Sequence, residues 1–428
     1  QEISLRNAIH KRADFLKLLC KLHSNLTLPM SIIITPFTKL QLLPQEEKLE
    51  ITRQKSELFI GIPKETSYQE RRICLTPDAV NSLTYHGHRV MIESGAGESS
   101  SYSDKEYSDA GAEVTKDTKK VFGCPMILKV EPASLAEIEM INPKTILISA
   151  IQIKTRKKIY FEALAKKKIT ALAFEYIKDE DGTYPAVKSL SEIAGTASIL
   201  IAAELMITNE FGKGLLFGNI TGVPPTDVVI LGAGTVGEFA AKTAIGLGAN
   251  VKVFDNSITK LRRLQNNLNQ RIFTSTIQPK SLLKALRRCD VAIGAMRGLE
   301  RCPVVVTETM VEHMKKGAVI VDVSIDTGGC FETSEVTSHE KPTFIKSNVL
   351  HYCVPNIPSR YSKTASLSIS NIITPYLMQI AEDGGIESAI RCDKGLKNGV
   401  YMYHGILTNK AIGEWFGLPD SDINLIVF

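Results

Sequence analysis

Residues 228–255, VVILGAGTVGEFAAKTAIGLGANVKVFD, constrain the fold more tightly than any other stretch of the chain. They read as an apolar strand, a glycine turn, a helix, a second strand and then an acid. Gly232, Gly234 and Gly237 stand at G-x-G-x-x-G spacing, and Asp255 lies 23 residues after Gly232. Each glycine has a separate physical task. The first allows a tight turn, the second lets backbone approach a pyrophosphate, and the third lets the helix pack closely on the strand. Thr235 and Val236 open the helix, whose N-terminus offers unpaired N–H groups and a positive dipole end to phosphates. Asp255 can accept hydrogen bonds from an adenosine ribose, and its charge would repel a 2′-phosphate. The pattern predicts a dinucleotide site for NAD rather than NADP.

The rest of the composition permits an enzyme of this kind. A chain of 428 residues predicts two domains or three. At 44% hydrophobic and 23% charged it has the balance of a globular protein. A formal charge of +5 is small for this length and argues for neither a nucleic-acid nor a membrane partner. The apolar run 193–207 (IAGTASILIAAELMI) is too short to span a bilayer, carries Thr196, Ser198 and Glu204, and reads as a buried helix. The eight cysteines (20, 74, 124, 289, 302, 330, 353 and 392) form no C-x-x-C pair, and no histidines cluster at metal spacing. Buried thiols, no metal and a reducing cytoplasm are expected. Residues 1–29 hold five Lys or Arg against two acids. A targeting peptide is one reading; the favoured one is sequence upstream of a start at Met30, within an extension running to about residue 55.

From Leu58 onward the chain alternates short apolar runs with helical segments. The strand candidates are 59–62, 89–93, 126–130, 145–149 and 170–174, then 227–231, 250–254, 290–294 and 318–323. Between the first two lies a helix at 77–87, with Pro77 at its start and Gly87 past its end. Repeated strand–helix units predict parallel sheets covered on both faces. The fold class is therefore α/β, with two doubly wound parallel-sheet domains and a cleft between them. Residues 364–383 read as a long helix, interrupted by Pro375, that returns to the first unit. This makes one domain discontinuous (56–185 and 364–428) around a Rossmann-type NAD domain (186–363). Ligands of open α/β sheets bind beyond the strands' carboxyl ends. That directs attention to PKETSYQERR, Lys129, Gln152 and Asp326.

The segments GIPKETSYQERRICLTPDAV, GHRVMIESGAGESSSYSDKEYSDAGAE, SEIAGTASILIA, GNITGVPPTDVVILGAGTVG, MKKGAVIVDVSIDTGGCFE and HYCVPNIPSRYSKTAS occur in that order. Together they resemble the alanine dehydrogenase and pyridine nucleotide transhydrogenase family, from about Phe59 to the C-terminal region. The resemblance implies oxidative deamination of L-alanine to pyruvate and ammonia, with NAD as hydride acceptor, in a homohexamer or other homo-oligomer. Carried over by position, Arg72 matches the arginine that holds the substrate carboxylate, a planar group suited to a guanidinium fork. Asp326 matches the aspartate beside nicotinamide and substrate, although an N-cap within IDTGG is the plainer alternative. Ser191 matches a serine near the cofactor phosphates, or caps the helix before EIAG. Lys260 matches a position near the adenosine, or is a solvated helix lysine. Asn356 lies in the PNIP turn that matches a nicotinamide-contacting loop, or forms an ordinary Asx turn.

Two departures from the family's pattern bear on the chemistry. Where the family has its histidine acid/base, this chain has Gln152, and an amide does not titrate near neutrality. The family's K-x-K-E-P run is shortened to KVEP, leaving Lys129 as the local candidate, either as a desolvated base of lowered pKa or as a carboxylate partner. His86, His88 and His351 read as structural. Gln152 would then bind the carbonyl oxygen, while Asp326 orders water or ammonia and Lys129 shares the work. Two alternatives stand beside the dehydrogenase: an NAD(H)-binding regulatory protein that has lost turnover, and a soluble transhydrogenase-like subunit.

Overall fold

The computed structural model describes residues 55–67, 69–207, 212–298 and 301–427. The expectations for residues 1–29 and for the extension, apart from Lys55, lie outside the described residues.

Two sheets organise the chain. The first holds β1 (Phe59–Ile62), β2 (Arg89–Glu93), β3 (Glu113–Thr115), β4 (Met126–Leu128), β5 (Ile146–Ser149) and β6 (Thr170–Ala173). The second holds β7 (Asp227–Leu231), β8 (Asn250–Phe254), β9 (Phe273–Ser275), β10 (Val291–Gly294), β11 (Val319–Asp322), β12 (Thr343–Lys346) and β13 (Val349–Tyr352). The chain then returns to the first sheet as β14 (Val400–Tyr403) and β15 (Ile406–Leu407). The spatial orders are β15-β14-β6-β5-β4-β1-β2-β3 and β12-β13-β11-β10-β7-β8-β9. Six strands of each sheet thus follow one scheme, doubly wound about its first strand, so each sheet has a switch point where a ligand can enter.

Both sheets are mostly parallel, as the strand–helix alternation predicts. Three antiparallel strands at the sheet ends modify that expectation: β14 runs antiparallel to β6, the edge strand β15 to β14 and the edge strand β12 to β13. Strands β6, β10 and β11 are buried at every position, the pattern of a sheet covered on both faces.

Three helices position the site. Helix α1 (Pro185–Leu205) is long and apolar enough by composition to cross a membrane. Its apolar residues are instead divided between two cores. Ala186 packs with Ile60, Leu128 and Leu172 of the first sheet, and Ala197, Ile199 and Ile201 pack with Val228 and Ile230 of the second. Helix α2 (Thr235–Gly246) lies against α1 so closely that a Cβ on Gly195 would meet the Val236 carbonyl at 2.3 Å. Helix α3 (Ser362–Glu382) returns to the first sheet, where Ile369, Ile373 and Leu377 join the core. It runs unbroken through Pro375, contrary to the interruption expected there. Proline removes one intrahelical N–H, but Ile373 and Leu377 hold that turn in the core, and the Thr374 hydroxyl donates to the Ser370 carbonyl at 2.7 Å.

Because α1 belongs to both cores, its contact with α2 is a joint of the whole molecule. Gly195→Val is expected to cost about 1–3 kcal/mol through overpacking, read as a lower melting temperature. An unchanged melting temperature would contradict this packing.

Candidate active site

The glycine turn has the three expected properties. Gly232 has φ +111°, and a Cβ there would lie 2.3 Å from the Ala295 carbonyl. A Cβ on Gly237 would lie 1.9 Å from the Gly232 carbonyl, so the helix leaves no room for a side chain. Above Gly234 there is nothing within 4 Å, which leaves this backbone open to close approach. Gly234 is also the N-cap of α2 and provides no side-chain cap, so the helix start at Thr235 and Val236 keeps unpaired N–H groups. A steric demand binds the outer glycines, whereas the middle one borders free space.

Asp255 directly follows β8 and is 8% exposed. Its Oδ2 accepts the Ala233 N–H at 2.8 Å and its Oδ1 accepts the Ser257 N–H at 2.7 Å. It braces the glycine turn, and each carboxylate oxygen retains a lone pair for a further donor. Lys260 is exposed in the first turn of the helix Ile258–Asn267. Ser191 lies well inside α1, half-buried, so the helix-cap alternative is ruled out.

The remaining residues gather at the carboxyl ends of strands. Glu70 and Arg72 follow β1, Lys129 and Glu131 follow β4, Gln152 follows β5 and Glu175 follows β6. From the second sheet come Arg297 after β10, Asp326 after β11 and Asn356 after β13. The two groups touch: Asn356 Nδ2 donates to Glu70 Oε2 at 3.1 Å, and the Asn356 N–H donates to Asp326 Oδ1 at 2.9 Å. Asn356 makes this bridge from a left-handed conformation, φ 55° and ψ 46°, one that asparagine tolerates better than most residues.

Arg72 is buried, and Glu70 already fills its fork. Nε donates to Oε1 at 2.6 Å and Nη2 to Oε2 at 2.5 Å. Burial alone would raise the Glu70 pKa; the Arg72 charge outweighs it and holds the carboxyl below its usual range. A substrate carboxylate must therefore share Arg72 with Glu70.

Lys129 differs from the expectation of a base with lowered pKa. Its side chain is 1% exposed, with Nζ 2.8 Å from Glu137 Oε1 and 3.2 Å from Glu65 Oε2. Burial works to lower its pKa, but these two carboxylates outweigh burial and raise it. Glu65 in turn is pushed up to about 7 by burial, against the opposing charge of Lys129.

Gln152 also takes a left-handed conformation, φ 46°. Its N–H donates to Glu175 Oε1 at 3.2 Å and its Nε2 to Glu131 Oε1 at 2.8 Å. Burial raises the pKa of Glu131, and the neighbouring Glu70 carboxylate raises it further. Glu175 is raised by burial against the N–H groups of Gln152 and Ile151 and the charges of Arg297 and Arg72. Asp326 is exposed to solvent, yet the protein packed around it raises its pKa despite the Asn356 N–H. The loop carrying Asp326 is fixed from below by fully buried Asp322, which accepts from Ser334 Oγ at 2.7 Å, the Cys330 N–H at 2.9 Å and the Ser324 N–H at 3.0 Å.

Glu70, Glu131 and Glu175 were not singled out by sequence reasoning. The rule that ligands lie beyond strand ends would have found Glu131, two residues past Lys129, had acids been weighed beside the lysine. His351 is fully buried, with Nε2 2.8 Å from Thr333 Oγ1 and Nδ1 3.0 Å from the Val349 carbonyl, a structural arrangement. Among the described cysteines none is in a disulfide; six are buried and Cys392 is exposed. Among the described residues no group of three or more His, Cys, Asp or Glu is arranged to hold a metal ion.

Two doubly wound sheets whose strand ends meet, one bearing an open glycine turn braced by an acid, define a two-sheet nucleotide-binding α/β protein. Residues 61–194 match the family description Alanine dehydrogenase/PNT, N-terminal domain, and residues 198–410 match Alanine dehydrogenase/PNT, C-terminal domain. The chain belongs to the alanine dehydrogenase/PNT family of NAD(P)-dependent oxidoreductases. It is 35% identical over 367 residues to an alanine dehydrogenase of Mycolicibacterium smegmatis, covering 85% of this chain and 98% of that one. It is 36% identical over 365 residues to an alanine dehydrogenase of Mycobacterium tuberculosis, with the same coverage. A solved L-alanine dehydrogenase superposes with a TM-score of 0.79 at 34% identity, over 84% of this chain and 99% of that one. A transhydrogenase from Sinorhizobium meliloti shares the fold, with a TM-score of 0.70 at 24% identity over 82% and 99% of the two chains.

The glycine geometry separates binding from folding. Gly234→Ala is expected to leave the melting temperature unchanged and to weaken NADH binding about tenfold or more, a single displaced phosphate contact being worth about 1.4 kcal/mol or more. Gly237→Ala is expected to lower both. Equal effects of the two substitutions on stability would contradict the assignment of free space above Gly234.

Proposed function

We propose that this chain is an NAD-dependent amino-acid dehydrogenase that converts L-alanine, NAD+ and water to pyruvate, ammonia and NADH. The observation that carries the reading is the Asn356 bridge, which joins Asp326 at the strand ends of one sheet to the Glu70–Arg72 pair at those of the other. The alanine dehydrogenase relatives support the substrate class.

Gly232, Gly234, Thr235, Val236 and Gly237 would hold the cofactor's phosphates, and Asp255 its ribose; Ser191, Lys260 and Asn356 are assigned further contacts. Bound NAD+ supplies a hydride acceptor. The nucleotide unit would be 186–363 and the substrate unit 56–185 with 364–428. Arg72 orients the amino-acid carboxylate, with Glu70 pinning the guanidinium plane. Asp326, open to solvent, orders the water that becomes the carbonyl oxygen. Gln152 donates to that oxygen. Lys129, held between Glu65 and Glu137, is reassigned from substrate contact to supporting the loop that carries Glu131.

A homo-oligomer is part of the proposal. Leu216, Ile220 and Val223 are 72%, 51% and 56% exposed on one short segment, apolar surface that a partner subunit would cover. A reducing cytoplasmic setting accords with six buried free thiols.

A second reading has an observation of its own. Gln152 replaces a titrating group and Glu70 already occupies the fork of Arg72, as in a protein that binds NAD(H) without turnover. Incubation with NAD+ and a panel of small L-amino acids, followed by nicotinamide absorbance, separates the two. Formation of NADH with L-alanine, lost in Arg72→Ala, is the expected result. NADH binding without turnover in either direction would favour the second reading.

A further inference from the structure

We infer that Glu131 is the group that exchanges protons with the substrate in this chain, held by Gln152 at the strand ends where Asn356 links Glu70 of one sheet to Asp326 of the other. The inference rests on the dehydrogenase reading above and supplies the acid/base function that Gln152 cannot perform.

The hydrogen bonds select Glu131 among the neighbouring acids. Glu70 accepts five: the Arg72 N–H, Nε and Nη2, the Arg71 N–H and Asn356 Nδ2, at 2.5–3.1 Å. So many donors fix it as a carboxylate. Glu175 is held by the N–H groups of Gln152 and Ile151, and Asp326 by that of Asn356. Glu131 is half-buried and has one donor among the described residues, Gln152 Nε2 at 2.8 Å. Glu70 is committed to its five donors, which leaves Glu131 as the acid beside Gln152 with capacity to gain and lose a proton. Its pKa is raised by burial and by Glu70, and is opposed by Gln152 and Arg72. These groups come from the loops after β1 and β5; Glu175, Arg297 and Asp326 are the charged groups of the other strand ends. A carboxyl whose pKa is raised in this way passes protons in both directions more readily than an ordinary surface carboxylate.

The proton steps balance. The alanine ammonium first releases one proton to water, and its Cα hydride leaves with both bonding electrons to NAD+, forming an iminium. As water oxygen bonds to the iminium carbon, Glu131 takes one of its protons, giving a carbinolamine. Glu131 returns that proton to nitrogen. The C–N bond then breaks with its electrons on ammonia, the hydroxyl oxygen forms the carbonyl, and the hydroxyl proton passes to Glu131 and out to water. The sum is pyruvate, NADH, ammonia and two protons, one of which the ammonia takes up.

The test combines kinetics with a readout that does not depend on turnover. In the oxidative direction kcat/KM should rise with pH through the Glu131 ionisation and then level. Glu131→Gln is expected to lose about 10²–10⁴-fold in kcat and to remove that limb, while Glu131→Asp restores part of the rate and the limb. NADH binding should be unchanged in both variants. By infrared difference spectroscopy, lowering the pH through this ionisation should give the wild type a protonated carboxyl C=O stretch that Glu131→Gln lacks. Alanine turnover by the wild type, with a retained pH limb and carboxyl band in Glu131→Gln, overturns the inference and leaves the dehydrogenase reading intact. No wild-type turnover of any amino acid overturns both.

Discussion

The site depends on how an irregular segment is held. Residues 69–76 follow β1 without forming a helix or strand, so their backbone groups need partners from elsewhere. Serines of α3 and of the turn before it supply them. Ser359 Oγ accepts the Arg71 N–H at 3.0 Å and donates to the Gln69 carbonyl at 2.5 Å. Ser366 Oγ accepts the Ile73 N–H at 2.9 Å, and Ser370 Oγ the Thr76 N–H at 3.1 Å. Ser359, Ser366 and Ser370 are all fully buried, where an unpaired donor or acceptor costs about 1–3 kcal/mol. The serines thus act as a template that places Glu70 and Arg72. The turn that contributes Ser359 also carries Asn356, so one segment fixes the pair and crosses to the second sheet.

Electrostatics then follow from crowding. Glu65, Glu70, Glu131, Glu175 and Asp326 converge on a region whose cations are Arg72, Lys129 and Arg297. Such an excess of acids in a partly dry site is relieved by protonation rather than by accumulating charge. Burial is the largest influence on Glu65, Glu70, Glu131 and Glu175, the protein around solvent-open Asp326 acts in the same direction, and only Glu70, against Arg72, ends below its usual range. The site combines one carboxylate held ionised by Arg72 with several acids of raised pKa, which suits the proton transfers of the proposed reaction.

Much of this was legible in the sequence because the signals are local. The three glycines act within six residues of one another, so spacing alone revealed turn, approach and packing. The long apolar strands declared themselves by length and β-branched content. Contacts between distant segments were not legible. The Glu70–Arg72 pair depends on serines some 290 positions away, and Lys129 is committed by Glu65 and Glu137, which no spacing rule links to it. The edge strands β3, β9 and β12 are three or four residues long and only partly buried, too short to carry a periodic signal. Pro375 marked a break that core packing overrode.

The most direct test of the central claim follows a single atom. L-alanine deuterated at Cα, incubated with the protein and NAD+, should yield NADH carrying the deuterium, detected by mass spectrometry, together with unlabelled pyruvate and a slowed turnover. Deuterium in solvent, or no labelled NADH while the protein binds the cofactor, would contradict direct hydride transfer between amino acid and nicotinamide at these strand ends.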